Sequence, residues 1–229
     1  MDIVYPLKRS AGPDDELRYS LRSLQNLPHG RVFLVGGRPA WAKNVEHIGT
    51  DRKHTKYKDA GNNIVAACRS REVSDPFILM NDDFFVMEPI REVPVLNRGK
   101  VRDVLRLYET RIGFSKYIAG MRNTLDQLAD YGYDDPLSFE LHVPIVIHKD
   151  TYMQTRELRT RVDTWHIRTA YGAVMGLEGT TIRDVKVNEA FESVRPGPFA
   201  STSDRSFRQG MAGFQVRSKF RRPSPYEVA

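Results

Sequence analysis

Residues 2–7 (DIVYPL) and residues 31–35 (RVFLV) are two short apolar runs that decide the fold class of this chain. Between them, after an acidic segment typical of a helix start, Leu17, Leu21 and Leu24 recur at helical spacing. A strand, a helix and a second strand in this order imply a crossover between parallel strands. The sequence therefore predicts an α/β protein with a mainly parallel central sheet.

The rest of the chain predicts further helices and strands, with a less regular second half. A helix is expected at residues 59–71, before a third apolar strand at 77–80, and apolar character resumes at 84–87. The later elements are expected as follows: a helix at 115–129, a strand at 138–147, helices at 150–161 and 164–177, and a strand at 180–187. From residue 195 onward, four prolines and three glycines favour irregular structure.

Composition limits the classes of protein that the chain can form. Its 229 residues, 40% apolar and 28% charged, suffice for one α/β domain or two small ones and are not typical of a disordered or fibrous protein. No run approaches the ~20 apolar residues that span a bilayer, and the first residues lack the pattern of a signal peptide. The single cysteine, Cys68, excludes an intramolecular disulfide and a cysteine-rich zinc site. We therefore expect a cytoplasmic protein without a membrane span.

The net charge of +6 is concentrated near the C-terminus. Between residues 205 and 222 the sequence has no acid and six basic residues: Arg205, Arg208, Arg217, Lys219, Arg221 and Arg222. Because the remaining chain is balanced in charge, a nucleic-acid partner is not expected. The basic segment either binds phosphate groups, an acidic acceptor or a membrane surface, or it is a solvated surface.

The strongest chemical signal is the acidic turn Asn81-Asp82-Asp83, which directly follows the strand predicted at 77–80. Two adjacent carboxylates at a buried strand end raise each other's pKa, and each needs a partner once it leaves water. A divalent cation meets both needs, and oxygen ligands suit Mg²⁺ or Mn²⁺, which can also bridge a diphosphate. The alternative is a plain β-turn, since Asn and Asp favour turns. The apolar runs on both sides favour the metal site.

A second group of candidates lies in the strand predicted at 138–147. If that segment is a strand, Glu140, His142 and Pro144 share one face. His142 is then either a third metal ligand or a contact to phosphate groups, and a structural histidine is the alternative.

Polar residues at the ends of the predicted strands form a third group. Lys8 and Arg9 come just after the first strand. Another set precedes the strand that leads to the acidic turn: Lys56, Lys58, Asp59, Asn62 and Asn63. In open α/β sheets, ligands bind outside the carboxyl ends of the strands, so these residues would border one crevice with the acidic turn. The group suits recognition of a base and a ribose; a solvated loop is the alternative for the two lysines of the set.

Several common catalytic motifs are missing from the sequence. It contains no P-loop, no dinucleotide-binding fingerprint, no Gly-x-Ser-x-Gly turn and no His-Glu-x-x-His pair. These absences disfavour a P-loop enzyme, a dehydrogenase, an α/β-hydrolase and a zincin protease.

Several segments together resemble the Stealth family of capsule-polysaccharide sugar-phosphate transferases, which has relatives among lysosomal-enzyme phosphotransferases. The most similar segments are DIVY at residues 2–5, ELRYSLRSL at 16–24, RVFLV at 31–35 with PAW at 39–41, and MNDDFF at 80–85. Three further segments fit more loosely: His142-x-Pro144, RTAY at 168–171 and PSPYE at 223–227. The chain also resembles small glycosyltransferases of bacteriophages, which would act in the host cytoplasm.

The resemblance implies a GT-A-like α/β/α sandwich that binds a UDP- or GDP-sugar and holds Mn²⁺ or Mg²⁺. It indicates one catalytic domain at residues 1–195, with a nucleotide-binding half at 1–90 and an acceptor half at 91–195, followed by a basic tail at 196–229. With the residue patterns above, it indicates these donor-binding residues: Tyr5, Pro6, Lys8, Arg9, Lys58, Asp59, Asn62, Asn81 and Asp82. The expected catalytic residues are Asp83, Glu140 and Asp163, and the expected metal ligands are Asp83 and His142.

The bond that is broken stays open between two transfers. The family usually continues its first strand with a Trp-Val-Asp-Gly segment, which residues 6–9 (PLKR) replace here. Loss of that acidic residue favours glycosyl transfer to a protein or glycan acceptor over transfer of sugar-1-phosphate. An inverting transferase also needs a carboxylate base, for which Glu140, Asp163 and Asp204 are candidates. A non-catalytic binding module is the remaining alternative.

Overall fold

The computed structural model describes residues 1–8, 14–50, 56–113, 115–158 and 165–228. The chain divides into two compact units. The first unit comprises Met1–Val93, His142–Lys149 and Val185–Ala229, and the second comprises Pro94–Leu141 and Asp150–Asp184. These boundaries differ from the predicted halves, because the segment after residue 185 returns to the first unit.

The described residues form strands and helices along the whole chain. The strands are β1 (Asp2–Leu7), β2 (Val32–Gly36), β3 (Glu46–Ile48), β4 (Phe77–Leu79), β5 (Phe84–Val86), β6 (Leu96–Asn97), β7 (Ile145–Ile147), β8 (Thr180–Thr181), β9 (Lys186–Val187) and β10 (Phe199–Thr202). The helices are α1 (Asp15–Ser23), α2 (Lys56–Arg69), α3 (Val101–Ile112), α4 (Lys116–Asp130), α5 (Lys149–Glu157), α6 (Ile167–Val174), α7 (Asp204–Gln209) and α8 (Met211–Lys219). In the described ranges no helix combines the length and the apolar character that a bilayer crossing requires.

Five strands of the first unit form the central sheet, in the order β3-β2-β1-β4-β7. β1 lies parallel to both β2 and β4, and β2 lies parallel to β3, whereas β7 runs antiparallel beside β4. Every residue of β2 and β4 is buried, as expected for strands covered on both faces. The predicted α/β class with a mainly parallel central sheet is confirmed.

The strand order reverses at β1. From β1 the chain passes outward to β2 and β3, and it then crosses back to β4 on the other side of β1. In doubly wound sheets such a reversal opens a crevice outside the carboxyl ends of the two strands, and ligands bind there. The acidic turn follows β4 and Lys8 follows β1, so both stand at this switch point.

Helix α1 carries the predicted apolar face. Leu17, Leu21 and Leu24 are all buried, although Leu24 already belongs to a short 3₁₀ turn, Leu24–Asn26. α1 packs against β5, the strand that follows the acidic turn. This packing joins the start of the chain to the far side of that turn.

The segment after residue 195 is ordered, contrary to the sequence-based expectation. β10 pairs with β5 and β9, and α7 and α8 follow it. These elements bury a cluster formed by Phe85, Phe207, Val216 and Phe220, among others. The many prolines and arginines of the segment conceal these apolar positions, which are far apart in the sequence but meet on one face of the small sheet.

The second unit is mainly helical. α3 and α4 pack against each other around Val101, Val104 and Met121, and α4 also contacts α6. β6 and β8 form a short parallel pair. The helix predicted at 115–129 is confirmed as α4.

Two predicted strands are wrong in their extent. The segment 138–147 contributes only β7, because the chain turns where the Leu141 N–H donates to the Phe139 carbonyl (2.8 Å) and because Pro144 has no N–H to offer a ladder. Glu140, His142 and Pro144 therefore do not share a strand face. The segment 180–187 separates into β8 and β9, which belong to different units.

A buried carboxylate fastens the segment after α8 onto α1. Glu227 accepts hydrogen bonds from Arg22 (2.7 and 2.8 Å) and Arg18 (3.0 Å), and its surroundings are nearly closed to solvent. Burial alone would raise the pKa of Glu227, but the bonds from Arg22, the Ser224 backbone N–H and Arg18 outweigh it and lower the pKa from 4.5 to about 2. The ionised carboxylate therefore contributes to stability at neutral pH.

We expect Glu227→Gln to lower the free energy of unfolding by about 3 kcal/mol at pH 7, because it leaves the two arginines without their anion. A carboxylate with a depressed folded pKa stabilises above its unfolded value and loses that contribution as the pH falls from about 4.5 to about 2. The difference between variant and wild type should therefore shrink over that range in urea unfolding. Asp204→Asn, in an exposed ion pair with Arg208, is the control and should change stability by less than about 1 kcal/mol. A pH-independent difference would contradict the explanation.

Candidate functional site

The acidic turn is held in place by hydrogen bonds from α1. Asn81-Asp82-Asp83 connects β4 to β5, and the Phe84 N–H closes the turn on the Asn81 carbonyl (3.1 Å). Ser20 Oγ donates to the Phe84 carbonyl (2.5 Å), and Tyr5 Oη lies 2.9 Å from Ser20 Oγ. Because Ser20 gives its single proton to Phe84, Tyr5 is the donor in the second bond.

A second serine of α1 fixes β5 in the same way. Ser23 Oγ accepts from the Val86 N–H (3.0 Å) and donates to the Ser20 carbonyl (2.6 Å). The two serines therefore connect helix and strand through buried hydrogen bonds on either side of the helix turn. This explains why the segment ELRYSLRS places serines on the buried side of an amphipathic helix.

Asp83 is paired with a lysine from a distant part of the chain. Lys186 Nζ donates to Asp83 Oδ2, and Ser201 Oγ donates to the same oxygen (3.3 Å). Both side chains of the ion pair are mostly shielded, with 17% of Lys186 and 18% of Asp83 exposed. Lys186 and Ser201 are register partners in β9 and β10, so the small sheet presents both groups to Asp83 together.

Asp82 borders a cavity and forms no such ion pair with a described residue. Burial, followed by the neighbouring Asp83 carboxylate, raises the pKa of Asp82. Lys8 and Lys186 act in the opposite direction without offsetting these effects. The ionised form of Asp82 is therefore less favourable here than in water.

Glu16 completes the carboxyl cluster, and sequence analysis missed it. Thr202 Oγ1 donates to Glu16 Oε1 (3.0 Å) from the strand that also carries Ser201. Burial raises the pKa of Glu16 to about 7, and the Asp83 and Asp82 carboxylates add to the rise, while Thr202 and Lys186 oppose it. In the sequence Glu16 reads only as an acid at a helix start. The available signal was its position directly before Leu17, on the edge of the buried face.

A cavity of about 280 Å³ lies at the carboxyl ends of the strands in the first unit. Its lining includes three basic side chains, Lys8, Arg38 and His47, and two acidic ones, Asp14 and Asp82. The volume is slightly below the ~300–1,000 Å³ of typical ligand pockets. The cavity can therefore hold part of a nucleotide-sized ligand, with basic side chains and the acidic turn on its walls.

Gly36 lines the cavity, and the side chain of Asn63 packs against it. Asn63 Nδ2 donates to the carbonyls of Leu7 and Val35 (2.9 Å each), and its Oδ1 accepts from Thr50 (2.7 Å). Gly36 has φ of +98°, and a Cβ there would stand 2.4 Å from Asn63 Nδ2. The side chain of Asn63 thus bridges the ends of β1 and β2, and only glycine fits at the end of β2.

Several predicted donor-binding residues take other positions. Tyr5 is fully buried and supports the acidic turn through Ser20, and its predicted role in donor binding stays a prediction. Pro6 is half-buried within β1, and Asn62 is exposed on α2, where its neighbour Asn63 is the residue that reaches the strand ends. Asp59 is half-buried, and no described residue donates to its Oδ1. Lys8 and Asp82 line the cavity as predicted.

Some predicted residues lie outside what the structure describes. Arg9 and Asp163 belong to ranges that are not described, and the side chain of Lys58 is likewise outside them. Their predicted roles stay predictions.

The two candidates from the 138–147 segment take different positions. Glu140 Oε1 accepts from the backbone N–H groups of Arg168 (3.0 Å) and Thr169 (3.1 Å) and so caps the start of α6 in the second unit. His142 packs edge-on against Phe84, with ring centroids 6.1 Å apart. Within the described residues no group of three His, Cys, Asp or Glu side chains is arranged to hold a metal ion. The predicted metal ligation by His142 stays a prediction.

The chemistry of the remaining donor set fits a divalent cation at the turn. The carboxyl groups of Glu16, Asp82 and Asp83 interact electrostatically, and Lys186 forms an ion pair with Asp83. Burial and mutual repulsion raise the pKa of Glu16 and Asp82. Additional positive charge would relieve this repulsion, and carboxylate oxygens are the ligands that Mg²⁺ and Mn²⁺ prefer. Asp82 and Asp83 would hold such an ion.

No protein-family model matches the chain, and no curated protein matches it either. A functional assignment therefore depends on the topology, the cavity and the charges described above.

We expect Glu16→Gln to raise the free energy of unfolding above pH 7 and to change it little at pH 5. A carboxyl group with a folded pKa of about 7 keeps its proton after the unfolded chain has lost it near 4.5, so its contribution to wild-type stability falls as the pH rises between these values. The gain at pH 8 should be about 1–2 kcal/mol, allowing for the solvent that reaches this half-buried side chain. Urea unfolding at both pH values measures it. The exposed neighbour Asp15 is the control site, and an equal effect of Asp15→Asn would contradict the explanation.

Proposed function

We propose that the protein is a metal-assisted glycosyltransferase that moves a sugar from a nucleotide-sugar donor to a protein or glycan acceptor. One observation carries the proposal: the acidic turn Asn81-Asp82-Asp83 stands at the switch point of the sheet, beside a cavity that also carries basic side chains. This is the place in the fold where a charged nucleotide and a metal ion would be bound together.

The sheet topology supports a nucleotide as the ligand. The order β3-β2-β1-β4 is that of one half of a doubly wound dinucleotide-binding sheet with its neighbouring strand, and such sheets bind nucleotides at the reversal beside the first strand. The resemblance to Stealth and GT-A transferases leads to the same ligand class. The glycine-rich phosphate loop of dinucleotide enzymes is absent from the sequence, so phosphate binding falls to side chains and metal.

The cavity offers a charge pattern that suits a diphosphate. Lys8 and Arg38 are exposed basic residues on its wall, and His47 adds a third group that can donate hydrogen bonds. Asp82 lies on the same wall, so the diphosphate would be placed between the basic side chains and the acidic turn. A charged ligand therefore suits this separation of charges better than a neutral one.

The chain's own residues would divide the remaining tasks. Asp82 and Asp83 would hold the divalent cation, which, when bound, supplies electrostatic stabilisation to the leaving phosphate. Ser20 and Ser23 keep the turn fixed, so that its carboxylates do not need to reorganise when the ligand arrives. Glu16 would be the proton acceptor, because its pKa of about 7 lies near neutral pH.

The decisive measurement is hydrolysis of nucleotide sugars with Mn²⁺ or Mg²⁺. We expect slow, metal-dependent release of nucleotide from a UDP- or GDP-sugar, stopped by EDTA and reduced at least about 100-fold in Asp83→Asn, because one metal-binding carboxylate is lost. Asp103→Asn is the matched control and should keep wild-type activity, since its carboxylate pairs with Arg106 on the surface.

The released nucleotide also identifies the broken bond. A nucleoside diphosphate indicates glycosyl transfer, which we expect, whereas a monophosphate indicates transfer of sugar-1-phosphate. Full turnover in EDTA, or no nucleotide release and no thermal stabilisation by any nucleotide sugar with Mn²⁺, would overturn the proposal.

A further inference from the structure

Lys186 is the basic residue in most direct contact with the acidic turn, and neither the sequence motifs nor the proposed reaction assigns it a role. Its ammonium group donates to Asp83 Oδ2. It reaches the turn from β9, about a hundred residues further along the chain, in register with Ser201, which contacts the same oxygen. The pair is mostly shielded from solvent, so the attraction between the two charges is stronger than in a surface ion pair.

The lysine neutralises only part of the local charge. Lys186 forms an ion pair with Asp83, and two further carboxyl groups among the described residues, on Glu16 and Asp82, interact electrostatically with Asp83. Lys8 acts on Asp82 from the cavity wall, without a direct bond between them in the structure. A further cation at this site would therefore be stabilised. It would lie next to Lys186, which is already bonded to Asp83.

A divalent cation and the lysine compete for Asp83. Both need its carboxylate oxygens, and an ammonium group left a few ångströms from a divalent ion is repelled by it. Lysine has a flexible four-carbon stem and three rotatable donors, so its head group can leave Asp83 without movement of β9. A donor diphosphate bound at the turn would offer the displaced ammonium group another anion.

We propose that Lys186 is an internal counter-ion of Asp83, which a divalent cation displaces and which then binds the donor diphosphate. The lysine keeps the turn closed and compact before the metal enters, and it supplies a second positive charge to the phosphates afterwards. The displacement rests on the metal site of the proposed function, and the second half of the proposal rests on the transferase activity as well.

The first test measures Mn²⁺ binding alone, by the loss of the free-ion signal in electron paramagnetic resonance. Lys186→Gln keeps a hydrogen-bond donor for Asp83 but removes the charge, so we expect it to bind Mn²⁺ about tenfold more tightly than wild type. Lys219→Gln, at the exposed end of α8, should bind as wild type does. In the Lys186→Gln background, Asp83→Asn should abolish the gain. Equal or weaker binding by Lys186→Gln would overturn the proposal.

A second test uses the wild-type chain and does not depend on whether a variant folds. An amine-reactive ester labels lysines, and mass spectrometry reads the extent at each position. We expect Mg²⁺ to increase labelling of Lys186 several-fold, because displacement frees its amine, and UDP added with Mg²⁺ to suppress it again. Lys219 should be unaffected. No increase with Mg²⁺ would overturn the displacement, and no protection by UDP would overturn the contact with the diphosphate.

The two proposals fail separately. Tighter Mn²⁺ binding by Lys186→Gln without turnover of any nucleotide sugar would keep the counter-ion and reject the transferase. Metal-dependent turnover with unchanged Mn²⁺ binding in Lys186→Gln would do the reverse.

Discussion

The hydrogen bond from Ser20 to the Phe84 carbonyl is the contact on which the site depends. It links α1 to β5, the strand that follows the acidic turn, and Tyr5 of β1 donates a hydrogen bond to the same serine. One helix thus connects the central sheet, the turn and the small sheet. Its other side chains serve the same purpose: Tyr19 packs on Phe207, and Arg18 and Arg22 hold Glu227. A single helical segment therefore contacts the strands on both sides of the acidic turn and the segments that follow β10.

The electrostatics of the site follow from this rigidity. Because the backbone of the turn is fixed, Asp82 and Asp83 cannot move apart to reduce their repulsion, and Glu16 adds a third carboxyl from the helix itself. Burial, and after it the neighbouring carboxylates, raise the pKa values of Glu16 and Asp82. A folded protein tolerates such an arrangement at a cost in stability, and sites with strongly perturbed carboxyl groups in a crevice are often functional. This is the physical basis for treating the turn as more than a connection between strands.

Local patterns predicted much of the central sheet and the acidic turn. The apolar runs of β1, β2 and β4 and the leucines of α1 have clear periods, and the turn between two apolar runs is visible directly in the letters. Lys8 and Asp82 were placed correctly because parallel strands bring their carboxyl ends together. Glu16 and Lys186 could not be found in this way. Glu16 looks like an ordinary helix-start acid, and Lys186 reaches Asp83 only through the pairing of β9 with β10. The strand wrongly predicted around Glu140 has the buried alternation of a strand, but its backbone turns at Leu141 and Glu140 caps a helix instead.

The division of the first unit into three sequence segments has a consequence for how the chain is made. Its ion pair between Arg18 and Glu227 joins residues 209 positions apart, and Lys186 and Asp83 are 103 apart. Contacts of such separation form slowly, because a long loop must close before they are gained. During synthesis on the ribosome, the acidic turn emerges long before the lysine that neutralises it. The nascent turn therefore lacks the ammonium group of Lys186, and the first unit reaches its final charge balance only after the second unit has been translated.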